Sequence, residues 1–249
     1  MPRLEVLKTW KLFIGGAFPR TESGRTMILW GTEDRVVAHC CQGSRKDLRN
    51  TVEIARKALP GWWKRDAYNR GQILYRLAEM AEGRTAELVD AIRSIPDADT
   101  GRGPTAAQAR KEIACAVDRL VSFAGWCDKF PQVVGSRNPV NGPYHDFTMP
   151  EPTGVCGVIA PNAPSFLGLV THLAPILAGG NVAIAMASET NPLPAMVFAE
   201  ICATSDVPGG VVNILTGYRR EMLPEFADHR DIDAIGGAAE TVEERRILE

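Results

Sequence analysis

Six cysteines, Cys40, Cys41, Cys115, Cys127, Cys156 and Cys202, are the first residues in this sequence to consider for chemistry, because a thiolate is a ready nucleophile. Their settings argue against that use. Cys156 lies in an apolar run that reads as a buried strand, Cys202 sits beside Ile201 on an apolar helix face, and Cys115 and Cys127 fall on a third helical segment. A thiol buried among apolar groups has a raised pKa and is inert. No C-x-x-C pair is present, and His39, His145, His172 and His229 are dispersed without metal-ligand spacing. Asn162, in Ala160-Pro161-Asn162-Ala163-Pro164, is of a type that orders a strand-to-helix turn through its side chain. There is no G-x-G-x-x-G fingerprint.

The elements that must position these residues alternate in kind. Beyond Gly154 the runs VCGVIA, NVAIAM, VVNIL and DIDAI read as short strands, separated by helices from about Ser165 to Ala178, from about Leu193 to Thr204 and after Gly217. Strand-helix alternation predicts βαβ units, a parallel sheet and right-handed crossovers with helices on both faces. Upstream, Leu48, Val52, Ala55 and Leu59 recur at helical spacing behind a capping-box-like Ser44 and Asp47, with Pro60-Gly61 as the expected stop. A second helix carries Ile73, Leu74, Leu77, Met80 and Ala81, and a third, from about Thr105 to Asp128, carries Ile113, Val117, Leu120, Val121 and Ala124 on one face. These three helices are expected to pack on one face of the sheet. KLFIGGAFPRTESGRT reads as a pair of short surface strands, Pro96 to Pro104 as a loop, and Pro131 to Pro152 as an extended hairpin turning at Asn141-Gly142.

The balance of 28 basic and 30 acidic residues gives no electrostatic case for nucleic acid or an anionic membrane. No apolar run reaches the roughly 18 residues of a membrane span, and MPRLEVLKTW lacks a signal-peptide core, so the expected location is the cytoplasm.

Three ordered segments carry a family likeness: Ala160-Pro161-Asn162-Ala163-Pro164, Leu173-Ala174-Pro175-Ile176-Leu177-Ala178-Gly179-Gly180-Asn181, and Pro208-Gly209-Gly210-Val211-Val212-Asn213-Ile214-Leu215-Thr216-Gly217. They resemble P-W-N-F-P, L-A-P-A-L-A-x-G-N and P-x-G-V-x-N-x-x-x-G of the aldehyde dehydrogenase superfamily, in its cofactor-binding half. Within that family the sequence looks most like the degenerate second half of the two-part aldehyde dehydrogenase 16 type and its short stand-alone actinobacterial homologues. The resemblance implies an α/β, Rossmann-like cofactor-binding domain over residues 1–249, with 131–152 a projecting oligomerisation arm, 153–249 the βαβ core, and the catalytic half absent.

The resemblance implies a degenerate cofactor site at Ala160, Pro161, Asn162, Glu189, Gly217 and Gly236. Asn162 takes the position of an oxyanion donor, and Glu189 that of a carboxylate holding the adenosine ribose. Met186 stands where the family has lysine, so a charge-assisted contact is missing and NAD(P) binding is expected to weaken by roughly one to two decades. Gly236-Gly237-Ala238-Ala239-Glu240-Thr241 corresponds to the pyrophosphate segment G-S-T-x-x-G, without its serine and with the Glu240 carboxylate nearby. The family's nucleophilic cysteine and glutamate base follow the last residue of this sequence. The implied function is a non-catalytic subunit that stabilises or regulates a complete aldehyde dehydrogenase, pairing with that enzyme or with itself through the arm. The alternative is an NAD(P)-dependent aldehyde oxidoreductase whose cysteine and base come from a further segment or a partner chain.

Overall fold

A computed structural model describes residues 6–32, 35–96 and 101–249. From the N-terminus, β1 (Thr9–Trp10), β2 (Thr26–Trp30) and β3 (Val36–Cys41) make a small sheet in the order β1-β3-β2. In β2 the residues Met27 and Leu29 turn inward while Thr26, Ile28 and Trp30 face solvent, the period-two pattern of a half-buried strand. The expected surface strands are corrected here: Leu12, Phe13 and Ile14 are buried, and the Phe13 N–H and C=O both pair with Ile214, at 2.9 and 2.8 Å. Gly15 and Gly16, both at positive φ, turn the chain away, and the buried Asn213 side chain accepts from the Gly15 N–H at 2.9 Å.

Helix α1 (Arg45–Trp63) starts at the expected capping box, with Ser44 Oγ accepting from the Asp47 N–H and Asp47 Oδ2 accepting from the Ser44 N–H. It does not stop at Pro60-Gly61. Trp62 is fully buried and donates its indole N–H to the Leu177 carbonyl at 3.2 Å, which carries the helix through the proline. Helices α2 (Ala67–Gly83), α3 (Thr85–Arg93) and α4 (Ala106–Trp126) follow; α3 was not expected, and residues 97–100 of the predicted loop lie outside the described residues. The buried stripe of α4 is Ala109, Ile113, Ala116 and Leu120, whereas Val121 is 41% exposed, so the predicted face is rotated.

The arm is also modified. Its first residues belong to α5 (Phe130–Val134), and the hairpin proper is β4 (Arg137–Asn138) against β5 (Asp146–Phe147), antiparallel, with Asn141 and Gly142 inside a longer loop. Tyr144, Phe147 and Met149 are exposed along it.

The remaining elements are β6 (Val155–Ile159), α6 (Ser165–Ala178), β7 (Val182–Met186), α7 (Leu193–Thr204), β8 (Val212–Leu215), α8 (Arg219–Ala227), β9 (Ala234–Gly237) and α9 (Val242–Leu248). The four strands form a parallel sheet in the order β8-β7-β6-β9. Every residue of β6, β7 and β8 is buried, as a parallel sheet covered on both faces requires. Strand β9 sits two to three residues later than DIDAI suggested. Ile232 closes a turn on the His229 carbonyl, and the Asp233 carboxylate is committed to the Val155 N–H and to Arg56. Right-handed crossovers put α6 and α7 on one face and α8 on the other, where it meets α1. Of the three helices expected on the sheet, α1 packs on β6, β7 and β8, while α2 and α4 pack on α6; α3 packs on α4 and α7. Among the described residues, no helix is long and apolar enough to cross a membrane.

Candidate functional site

The chain runs outward from β6 through β7 to β8, then returns to lay β9 on the other side of β6. In an open α/β sheet, ligands enter the crevice beyond the carboxyl ends of the two strands where the direction reverses. Here that crevice lies between Ala160-Pro161-Asn162, which follow β6, and Ala238-Ala239-Glu240, which follow β9.

One side chain bridges it. The Arg219 guanidinium donates to the Ala160 carbonyl at 3.0 Å and to the Ala238 carbonyl at 2.5 Å, and it forms a two-pronged ion pair with Glu244 of α9, at 2.8 Å to each oxygen. Arg219 is only 3% exposed. None of the motifs in the sequence includes it. Two local signals point to it: a cation at the first position of a helix opposes the helix dipole, and Thr241-x-x-Glu244 spells a capping box. Thr241 Oγ1 does accept from the Glu244 N–H at 3.1 Å, and the Glu244 carboxylate turns chiefly to Arg219 and to the Glu240 N–H.

The expected site residues gather at the same end of the sheet with their polar groups already engaged. Asn162 donates its backbone N–H to Glu240 Oε1 at 2.7 Å, and its side-chain Oδ1 accepts from the Glu189 N–H at 3.1 Å, which ties the β6–α6 turn to the loop after β7. Glu189 Oε2 accepts from the Arg219 N–H at 2.5 Å and so caps the start of α8. One of its two oxygens is therefore already engaged within the chain. Met186 is fully buried in β7, paired with Ile159 and Leu215. Gly217 packs against Gly43 in the turn before α8, and Gly236 has open space where a side chain would stand. Its neighbour Gly237, at φ 140°, approaches the Ile159 backbone too closely for any Cβ. The amino end of α6 is filled as well, since Glu112 from α4 accepts from the Phe166 and Leu167 N–H groups at 2.9 and 3.1 Å.

None of the cysteines reaches this crevice as a reactive group. Burial pushes the Cys40 thiol up to about 12 and the Cys156 thiol up to about 11, Asp233 adding to the latter, and Cys202 is raised by complete burial. Cys115 is half-buried, not buried as expected. Among the described residues, no cluster of His, Cys, Asp or Glu has the makings of a metal site.

The aldehyde dehydrogenase family profile matches residues 21–249. The chain belongs to the aldehyde dehydrogenase family. Cytosolic 10-formyltetrahydrofolate dehydrogenase of Mus musculus is 31% identical over 253 residues, covering 99% of this chain and 27% of that protein. The mitochondrial aldehyde dehydrogenase of Sus scrofa is 34% identical over 209 residues, covering 83% of this chain and 39% of its own length. The structure of the Bacillus cereus aldehyde dehydrogenase in its NAD+ complex superposes with a TM-score of 0.89 at 26% identity, over 97% of this chain and 48% of that one. The chain therefore spans about a quarter to a half of the relatives it matches.

For this family member the ion pair at the crevice carries a pH signature. The Arg219 guanidinium holds the Glu244 carboxyl below the usual glutamate range, outweighing the opposing effect of burial, and the Glu240 N–H adds to it. A depressed carboxyl contributes stability that is complete above the unfolded pKa of about 4.3 and is lost as pH falls through the folded value. Melting temperatures should therefore be lower for Glu244→Gln than for the unaltered chain near neutral pH, and the two should converge as pH falls through and below the folded value. A gap that stays constant across that window would show that Glu244 carries no linked charge.

Proposed function

We propose that this chain is a catalytically silent aldehyde-dehydrogenase-like subunit that stabilises or regulates a complete aldehyde dehydrogenase. The observation that carries this reading is the pair Met186 and Glu189: a fully buried methionine offers no cationic partner where the likeness expects a lysine, and one oxygen of the carboxylate expected to hold a ribose already caps α8. As the residues stand they do not fit NAD(P), so no hydride-transfer step is assigned to them. The exposed Tyr144, Phe147 and Met149 of the arm support a role in assembly, since large apolar side chains clustered on a projecting hairpin favour burial against another chain. A second reading, an NAD(P)-dependent oxidoreductase completed by a further segment or a partner, draws support from the intact parallel sheet and its likeness to an NAD+-bound enzyme.

Sedimentation of the chain with a complete aldehyde dehydrogenase from the same source, followed by an aldehyde-oxidation assay, separates the two. The expected result is a mixed complex in which the oxidation rate or the heat stability of the larger enzyme changes, while the chain alone neither oxidises aldehyde nor releases heat on titration with NAD+. Micromolar NAD+ affinity of the chain alone would favour the second reading, and no mixed complex would overturn the first.

A further inference from the structure

At the mouth of the crevice, the backbone N–H groups of Asn162, Arg219 and Glu240 donate respectively to the carboxylates of Glu240, Glu189 and Glu244. N–H groups in such a place are what an anionic diphosphate would use. Here three carboxylates from the chain itself have taken them. The Arg219 guanidinium completes the closure by spanning the carbonyls beyond β6 and β9. Glu244 holds it there from α9, a helix with no buried residue of its own, whose Ile247 and Leu248 are only partly covered.

We propose that Arg219, latched by Glu244, is an internal occupant of the dinucleotide crevice, so that this placement of its guanidinium and binding of a nicotinamide dinucleotide exclude one another. This rests on the reading of the nucleotide site as silent and adds the device that keeps it so. Removing the guanidinium opens the span between Ala160 and Ala238 and releases Glu244. Removing the Glu244 carboxylate has two effects in the same direction: it takes away a negative charge that would face the diphosphate, and it leaves Arg219 held only by the neutral Ala160 and Ala238 carbonyls, from which a diphosphate can draw it by charge. Because α9 is a surface helix, opening the latch leaves the core of the sheet unchanged.

The test titrates NAD+ and NADP+ into the unaltered full chain and into its Arg219→Ala and Glu244→Ala variants, with circular dichroism to confirm that each is folded. The expected result is weak or undetectable binding by the unaltered chain and a gain of roughly ten- to a hundredfold in affinity in both variants, the scale set by exchanging one or two charge-assisted hydrogen bonds. Arg219 is buried; should its variant fail to fold, Glu244→Ala, altered on an exposed helix, decides the matter alone. Folded variants that bind no better than the unaltered chain would overturn the latch while leaving the silent-subunit reading intact. Tight binding by the unaltered chain would overturn that reading itself, and it would be seen before any substitution is made.

Discussion

Trp62→Ala is expected to destabilise the chain by about 3–5 kcal/mol, which lowers the melting temperature by roughly 6–20 °C for a protein of this size. Trp62 heads the largest fully buried side chains and its indole N–H ends on the Leu177 carbonyl, at the far end of α6. Alanine there leaves a cavity between α1 and α6 that rigid neighbours fill only in part. It also removes the bond that ties the last turn of α1, beyond its proline, to α6. The adjacent Trp63 is the control: it is 45% exposed, and Trp63→Ala should cost no more than about 1 kcal/mol. Chemical denaturation of the two variants side by side measures the difference. Equal losses would mean that helix α1 ends at Pro60 in solution and that Trp62 is not a core residue.

That pair of tryptophans shows where reading the chain in one dimension succeeds and where it runs out. The limits of α6 and α7 and the capping box of α1 are legible because each is a local matter: an apolar period, a capping residue and a flanking glycine or proline decide it. The continuation of α1 past Pro60 is decided by a contact with residue 177, more than a hundred positions away. The rotated face of α4 has the same origin, since its buried stripe is set by α2 and α6 and the sequence offers more apolar positions than one stripe can bury. Strand β2 was legible in principle, because TMILW alternates inward and outward, but an apolar run of five residues is too short to separate from a helical turn by period alone. Within the site, Asn162 and Glu189 were found by likeness and do lie at the carboxyl end of the sheet. Arg219 was not found, although its guanidinium alone makes four hydrogen bonds there. As one of two adjacent arginines among 28 basic residues it looks like surface, and it is buried only because β6 and β9, which are distant in sequence, end side by side.

The adjacent glycines of β9 supply the other large effect. Gly237→Val should destabilise the chain by about 3–5 kcal/mol, combining the strain of a branched side chain at φ 140° with a collision against the backbone of β6. Strand propensity alone argues the reverse, since valine is favoured in strands and glycine is not. The deciding fact is geometric: a Cβ at Gly237 meets the N, C and O atoms of Ile159, the residue whose carbonyl receives the Ala238 N–H at 3.0 Å. Gly236, the position that likeness had marked for the site, has nothing within reach of an added Cβ, and Gly236→Val should fall within about 1 kcal/mol of the unaltered chain. Thermal unfolding of the two variants separates strand chemistry from close approach, and equal losses would remove the argument. The effect extends to the crevice, because pushing β9 away from β6 carries the Ala238 carbonyl out of reach of Arg219 and loosens the ion pair with Glu244. Limited proteolysis should then cut Gly237→Val near Arg245 and Arg246 of α9 under conditions that leave Gly236→Val intact, and this ties the backbone demand at one glycine to the closure of the nucleotide crevice.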